Sequence, residues 1–126
     1  MRPFFSIILP TYNQSSFLEK SINSVLTQTF ENWELIIIDN FSDDETENII
    51  KKYDDKRIKY FKFNNNKIIA KSRNFGIKKA VSNWISFIDS DDVWFKDKLK
   101  ITKNYIEKKN ADFYFHDLNF LNKKVF

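Results

Sequence analysis

The stretch that decides the fold is Trp33-Glu34-Leu35-Ile36-Ile37-Ile38-Asp39, in which four consecutive aliphatic residues lead into a carboxylate. An apolar run without alternation predicts a strand that is buried on both faces, as in a parallel sheet, and we place it at Glu34 to Asp39. Phe4 to Leu9 is a second such run, and Pro10 is expected to end it. Because parallel strands need crossover connections, the segments between these runs are expected to be helical.

Four segments have the periodicity of amphipathic helices, in which one stripe packs on a sheet. The stripes of the first three are Leu18, Ile22, Val25 and Leu26, then Ile49, Ile50 and Tyr53, then Ala70, Asn74, Ile77 and Val81. The fourth helix is expected at Lys96 to Lys108, with a thin stripe of Leu99, Thr102 and Ile106. Two pairs have the spacing of capping boxes that would begin the first two helices, namely Ser16 with Glu19 and Ser42 with Glu45.

Three more segments have the pattern of strands, namely Arg57 to Phe63, Trp84 to Asp89 and Asp112 to Phe115. The alternation of strands and helices predicts an α/β fold, with a mostly parallel, Rossmann-like sheet and helices on both of its faces. At 126 residues the chain has the size of one domain, so residues 1–126 are interpreted as a single unit.

The composition excludes several classes of protein. The chain has no cysteine, which rules out disulfides, thiol catalysis and thiolate metal sites. No stretch approaches the roughly 20 apolar residues of a membrane span, and the apolar run after Arg2 is interpreted as a strand and not as a signal peptide. We therefore expect a cytoplasmic protein. The net charge of +4 comes from scattered lysines, which favour a solvated face, with peripheral attraction to an anionic membrane as the alternative.

Polar residues follow three of the predicted strands at the point where each strand ends. They are Thr11-Tyr12-Asn13, Asp39-Asn40 and Asp89-Ser90-Asp91-Asp92. In open α/β sheets, ligands bind in the crevice beyond the carboxyl ends of the strands. The three polar groups are therefore expected to face one crevice.

The acidic run Asp89-Ser90-Asp91-Asp92 predicts a metal site. Its three carboxylates repel one another unless a cation or hydrogen-bond donors offset their charge. A divalent ion, Mn²⁺ or Mg²⁺, held by Asp89, Asp91 and Asp92 is the simplest solution, because such ions prefer oxygen ligands and typically bridge one or two carboxylates to phosphates. Which two of the three aspartates would bind is left open. The alternative is an acidic turn that caps the following helix.

Gly76 is the only glycine, so neither a dinucleotide fingerprint nor a phosphate-cradling loop can be built. If the crevice binds a nucleotide, a metal and a cationic side chain must hold its phosphates instead. Arg73 is the first candidate because a guanidinium can bind a phosphate through two hydrogen bonds, and Lys71 is a weaker one. Both also suit an exposed helix face. Asp39 could accept a hydrogen bond from a base or a ribose, or form an Asx turn.

Four motifs, in order along the chain, resemble glycosyltransferase family 2, whose donor domain has the GT-A fold. They are Ser6 to Asn13, Trp33 to Asp39, Ala70 to Ile77 and Phe87 to Trp94. The resemblance implies that they supply, in turn, a nucleotide loop, an aspartate that contacts the base, an arginine near the diphosphate and a metal site. The nucleotide-binding residues that it implies are Pro10, Thr11, Tyr12, Asn13, Asp39, Lys71, Arg73, Asp89, Ser90 and Asp91.

The resemblance also implies a reaction. It is an inverting transfer of a sugar from a nucleotide-diphosphate donor, expected to be a UDP-sugar, to a saccharide or lipid-linked acceptor. Many members have an aspartate and a glycine where this chain has Asn40 and Phe41. The resemblance implies an acceptor-binding half beyond the metal motif, which residues 1–126 are not expected to include. The bases after the motif are interpreted as ordinary strand and loop residues: Asp112, His116 and Asp117. The general base is thus unassigned, and residues 1–126 are expected to bind the donor with metal but to transfer sugar poorly.

Two other classes compete with this interpretation. A phosphoryl-transfer receiver domain has this length and an acidic metal site, but it needs an acidic pair after the first strand, where this chain has Thr11-Tyr12-Asn13. A non-catalytic metal- or nucleotide-binding module is the other. Its nucleic-acid-binding form is suggested only by positive charge and aromatic residues, and we expect no nucleic-acid partner.

Overall fold

A computed structural model describes residues 2–110 and 112–115, in which strands and helices alternate. The strands are β1 (Phe5–Thr11), β2 (Trp33–Asp39), β3 (Ile58–Lys62) and β4 (Trp84–Phe87). The helices are α1 (Ser15–Leu26), α2 (Thr46–Ile50), α3 (Ile69–Lys79) and α4 (Lys98–Lys108). The predicted α/β alternation is confirmed. None of the helices in the described ranges is long and apolar enough to span a membrane.

The four strands form one sheet in the order β3-β2-β1-β4, and every neighbouring pair is parallel. All seven residues of β1 and all seven of β2 are buried, as the unbroken apolar runs predicted. From β1 the chain moves outward through β2 and β3, and then returns to the other side of β1 to form β4. This reversal of strand order opens a crevice at the carboxyl ends of β1 and β4, which is where open α/β sheets bind ligands.

Helices cover both faces of the sheet. On one face, Ile7, Leu9, Leu35 and Ile37 pack with apolar residues of α1, α2 and α4 in the larger core. On the other face, Ile8, Ile36 and Ile38 lie under α3. Successive residues of a strand point to opposite faces, so β1 and β2 each supply both cores. This double burial holds the strand ends, and hence the crevice, in a fixed position.

The predicted stripe of α3 was wrong, because the helix turns a different face to the sheet. Ile77 and Val81 are 42% and 44% exposed, while Ser72 and Gly76 are the buried residues of this helix. A Cβ atom on Gly76 would lie 2.6 Å from Cγ2 of Ile8. The absence of a side chain at Gly76 therefore lets α3 approach β1 closely, and this close approach decides which face of the helix is buried.

A Gly76→Ala substitution is expected to lower the free energy of unfolding by about 1–3 kcal/mol, the usual cost of overpacking a core. The new methyl group would have to displace Ile8, which is fully buried in the central strand. Urea denaturation of the two proteins measures the difference. A Lys78→Ala variant is the control, since Lys78 is exposed on the same helix. Equal midpoints for Gly76→Ala and the unmodified chain would show that α3 does not pack this closely.

The two predicted capping boxes do not form. α1 begins after Gln14 and α2 after Glu45, and neither has a side-chain cap. The N–H of Ser15 donates instead to Oδ2 of Asp44, at 2.9 Å, and Ser42 bonds to Asp39. The polar side chains of these two loops therefore tie the loops to each other, a long-range choice that spacing along the chain does not reveal.

Several strand boundaries also differ from the prediction. Pro10 lies inside β1, which runs on to Thr11. The carbonyl of Ile8 accepts from the N–H of Ile88, so the backbone polar groups of Ile8 point toward β4. The backbone of Pro10, two residues later, points the same way, but it lies beyond the last residue of β4. The N–H that proline lacks therefore costs no hydrogen bond between the strands. Residues 112–115 form no strand. They fold back on the end of α4, where the Tyr114 hydroxyl donates to the carbonyl of Lys109 at 2.8 Å.

Candidate functional site

A cavity of about 290 Å³ lies at the carboxyl ends of β1 and β4. It is lined by residues from β1 and the following loop, from the β3–α3 connection and the start of α3, and from the segment after β4: Pro10, Thr11, Tyr12, Gln14, Asn65, Ile69, Asp89, Ser90 and Asp91. Six of the ten predicted nucleotide-binding residues are therefore brought together. The other four, Asn13, Asp39, Lys71 and Arg73, do not line it, and neither does Asp92.

The acidic turn, defined as Asp89 to Asp92, forms one side of the cavity. Its backbone closes through a hydrogen bond from the N–H of Asp92 to the carbonyl of Asp89, at 3.0 Å. The Asp89 carboxylate forms an ion pair of 2.7 Å with the Arg73 guanidinium, while Asp91 is exposed. Arg73 therefore already offsets one of the three charges, and its Nε is buried without a hydrogen-bond partner in the described ranges.

The crowding of negative charge is visible at Asp92. Partial burial, followed by the nearby charges of Asp89 and Asp91, raises the pKa of the Asp92 carboxyl above its usual range. Within residues 2–110 and 112–115, no group of three or more acidic, histidine or cysteine side chains converges to hold a metal ion. The chemistry of the turn fits an ion that takes one or two carboxylates and completes its shell with phosphate and water oxygens. Asp89 and Asp91 are the two carboxylates that share the cavity.

Two of the residues that line the cavity carry buried polar atoms without partners among the described residues. They are Oγ1 of Thr11 and Oδ1 of Asn65, on residues only 5% and 6% exposed. Asn65 is held firmly, because its Nδ2 donates to Oγ of Ser72 at 2.9 Å and its backbone N–H donates to Oδ1 of Asn40 at 3.0 Å. Buried polar groups are nearly always hydrogen-bonded, so each of these atoms lacks the partner that such a group usually has.

Asp39 is fully buried and uses both of its carboxylate oxygens inside the protein. Oδ1 accepts from the N–H and the hydroxyl of Ser42, at 3.0 and 2.6 Å, and Oδ2 accepts from the Tyr60 hydroxyl at 2.7 Å. Burial, together with this hydrogen bond to Asp39, raises the pKa of Tyr60. The bonds to Ser42 satisfy the carboxylate within its own loop, but they join residues three apart, whereas the Asx turn of the alternative interpretation would use the N–H of Phe41. A contact between Asp39 and a base or ribose stays a prediction.

The loops that follow β1 and β2 are joined through Asn13, which has a positive φ of 49°. Its N–H donates to the Ser42 hydroxyl at 2.9 Å, and its Oδ1 accepts from the N–H of Asp43 at 3.0 Å. Asp44 also connects the two loops. Burial acts to raise the pKa of Asp44, but hydrogen bonds from Thr46 and from Ser15, where the other loop meets α1, outweigh the effect of burial and lower that pKa to about 2. Asn13 therefore fixes the loop that carries Tyr12 and does not itself face the cavity.

A family model described as Glycosyl transferase family 2 matches residues 6–120, which is most of the chain and includes every residue that lines the cavity. The chain belongs to glycosyltransferase family 2. The receiver-domain interpretation is thereby excluded.

Two curated relatives of this family 2 chain come from bacteria. An uncharacterized glycosyltransferase of Rickettsia conorii is 42% identical over 94% of this chain and 20% of its own length. The UDP-Glc:α-D-GlcNAc-diphosphoundecaprenol β-1,3-glucosyltransferase WfgD of Escherichia coli is 38% identical over 93% of this chain and 46% of its own length. The chain thus spans a fifth to less than half of these relatives.

Among solved structures, residues 1–349 of TarS from Staphylococcus aureus, in complex with UDP-GlcNAc, match with a TM-score of 0.75 and 32% identity. The match covers 86% of this chain and 32% of that one. The four-stranded parallel sheet is therefore the GT-A fold of the family, as the four motifs predicted.

Asn65 was not among the residues that the sequence of this family 2 chain predicted for the site. The only available signal was a run of three asparagines, Asn64 to Asn66, shortly before a helix. Asn40 was expected at the crevice and was noted as a departure from the family, and the structure shows that its side chain positions Asn65. Lys71 is exposed on α3 and lies outside the cavity lining, so a phosphate contact by Lys71 stays a prediction.

Proposed function

We propose that this chain binds the UDP-sugar donor of an inverting family 2 glycosyltransferase, in the cavity between β1 and β4. One observation carries the proposal. A single cavity is lined both by two carboxylate residues of the acidic turn and by Thr11 and Asn65, whose buried polar atoms have no partner within the described part of the chain. An anionic diphosphate with its metal suits the first pair of residues, and a nucleobase with hydrogen-bonding edges suits the second.

At the base end, Tyr12 offers a ring that is 53% exposed at the mouth of the cavity, on which a flat base can stack. Oδ1 of Asn65 is a hydrogen-bond acceptor, because its amide nitrogen is already bonded to Ser72. It would accept from the ring N–H of uracil, whereas cytosine has an acceptor at that position. The TarS complex contains UDP-GlcNAc, and the name of WfgD specifies UDP-Glc, which also favours uridine.

At the acidic end, Asp89 and Asp91 would hold Mn²⁺ or Mg²⁺ together with oxygens of the diphosphate, and Asp92 would add negative charge beside them. When bound, the metal would offset the charge that develops on the departing nucleoside diphosphate. Arg73 keeps Asp89 oriented through its ion pair. The ion pair would thus fix one carboxylate before the donor arrives.

The acceptor half of the reaction is also a proposal, and its general base is unassigned. WfgD is named for a diphosphoundecaprenol-linked acceptor, which supports a saccharide on a lipid carrier as the substrate class. Such an acceptor and the excess of lysines favour peripheral association with the inner face of a membrane. Of the three bases that follow α4, Asp112 lies at the end of the described chain and away from the cavity, and His116 and Asp117 lie outside the described residues.

A nucleotide panel tests this proposal. With Mn²⁺ present, UDP is expected to bind more tightly than CDP, and Asn65→Leu is expected to weaken UDP binding by about tenfold, because a buried hydrogen bond to the base is lost. Calorimetry measures both. Asn104→Leu, an exposed position on α4, is the matched control and should bind UDP normally. If UDP and CDP bind equally and Asn65→Leu changes neither, the base does not lie against Asn65.

A further inference from the structure

We propose that three buried polar residues of the α1 region, Ser21, Ser24 and Gln28, are positioning residues that hold the acidic turn in its metal-binding geometry. We name them the α1 clamp. α1 packs on the sheet through Leu18, Ile22 and Val25, as expected of an amphipathic helix. The clamp residues are spaced three and four apart, which places them on one face, and none is more than 7% exposed. Burying polar side chains is costly unless they are hydrogen-bonded.

The partners of the α1 clamp are all in the backbone that follows β4, apart from two bonds within α1. The Ser21 hydroxyl lies 3.1 Å from the carbonyl oxygen of Asp89 and also contacts that of Asp92, so its single proton is shared between the two ends of the acidic turn. Oγ of Ser24 accepts from the N–H of Trp94 at 3.1 Å. Gln28 donates to the carbonyl of Phe95 at 2.7 Å and accepts from the N–H of Leu99 at 3.0 Å. Three side chains thus bind backbone groups spread from residue 89 to residue 99.

This support matters because the segment has little of its own. β4 ends at Phe87 and α4 begins at Lys98, so the acidic turn lies between them in irregular structure. The carboxylates of the turn repel one another, which favours spreading of the turn. Ser21 contacts both ends of the turn at once and so opposes that spreading. The direction in which Asp91 points into the cavity therefore depends on α1, a helix that contributes no side chain to the cavity lining.

The test rests on the proposed function, because its readout is metal-dependent binding of UDP by the whole chain. Ser21→Ala is expected to raise the dissociation constant for UDP with Mn²⁺ by about tenfold, the lower end of what loss of an outer-shell partner costs a metal site. Binding of UDP in EDTA should be unchanged within about twofold. Ser24→Ala is the second variant, and it is expected to weaken the binding of UDP with Mn²⁺ several-fold. It replaces Ser21→Ala as the test if that variant does not fold.

Val25→Ala is the matched control for stability. Val25 is buried in the same helix but packs only in the apolar core, so its truncation lowers the unfolding midpoint without touching the acidic turn. Under conditions in which both Val25→Ala and the unmodified chain are folded, Val25→Ala should bind UDP with Mn²⁺ as the unmodified chain does. If Val25→Ala weakens binding as much as Ser21→Ala, or if both serine variants bind normally, the positioning role is refuted. If the unmodified chain shows no metal-dependent binding, the proposed function fails first.

Discussion

An Asp91→Asn substitution is expected to weaken the binding of UDP in the presence of Mn²⁺ by about 100-fold, which corresponds to about 2.7 kcal/mol. Asp91 lines the cavity and is exposed, whereas Asp89 is already paired with Arg73. The Asp91 carboxylate is therefore the less compensated charge of the two that share the cavity. The amide of asparagine keeps the shape of the side chain but removes the charge that a hard cation prefers.

Calorimetric titration of UDP into each protein, with Mn²⁺ and with EDTA, measures this effect. In EDTA the substitution should strengthen UDP binding slightly or leave it unchanged, because one negative charge near the diphosphate is removed. Asp54→Asn makes the same change of charge at an exposed position after α2 and is the control. A loss of similar size in both variants would show that net charge, and not a metal held by Asp91, governs binding.

Glu34→Ala is expected to lower the free energy of unfolding by about 1–3 kcal/mol, because it leaves the Ser6 hydroxyl and the N–H of Val81 without their acceptor. The Glu34 side chain is 5% exposed, and its carboxylate forms an ion pair of 2.6 Å with Lys59. It also accepts hydrogen bonds from the Ser6 hydroxyl and from the N–H of Val81, at 2.9 Å for the latter. One carboxylate thus joins β1, β2, β3 and the connection into β4.

The same network predicts a dependence of stability on pH. Desolvation acts to raise the pKa of Glu34, but the hydrogen bonds from Lys59, Ser6 and Val81 outweigh it and hold that pKa below 4.5. A carboxyl whose folded pKa is lowered contributes stability above its unfolded pKa and loses it as the pH falls through the folded value. The cost of Glu34→Ala should therefore shrink below about pH 4.5.

Urea denaturation at neutral and acidic pH measures both expectations. Glu31→Ala is the control, since Glu31 is exposed two residues before β2 and its truncation should cost less than about 0.5 kcal/mol. If Glu34→Ala lowers the free energy of unfolding no more than Glu31→Ala does at neutral pH, then the bonds of the Glu34 carboxylate only offset the cost of its desolvation.

The parts of the site that the sequence could predict are those fixed by the ends of strands. Parallel strands end at one edge of a sheet, so Thr11, Tyr12 and the acidic turn could be placed in one crevice from the sequence alone. The apolar run of β2 was equally informative, because a run without alternation has few alternatives to a doubly buried strand. These predictions needed only local pattern and the geometry of the fold.

The parts that could not be predicted depend on contacts between distant segments. Ser21 and Gln28 look like ordinary polar positions of an amphipathic helix, and nothing along the chain reveals that they face the backbone after β4. Asn65 has its role only because Asn40 and Ser72 hold it. A contact between Asp39 and a base or ribose was predicted from its position at a strand end, but Ser42 and Tyr60 bind its carboxylate oxygens. In each case a long-range partner decides the function of the side chain.

The proposed donor site is tested by titration of UDP into the 126-residue chain, once with Mn²⁺ and once with EDTA. We expect that UDP binds in the presence of Mn²⁺, that EDTA abolishes most of this affinity, and that a variant carrying both Asp89→Asn and Asp91→Asn loses the dependence on metal. Binding of UDP that is equally strong with Mn²⁺, with EDTA and in the double variant would contradict the proposal.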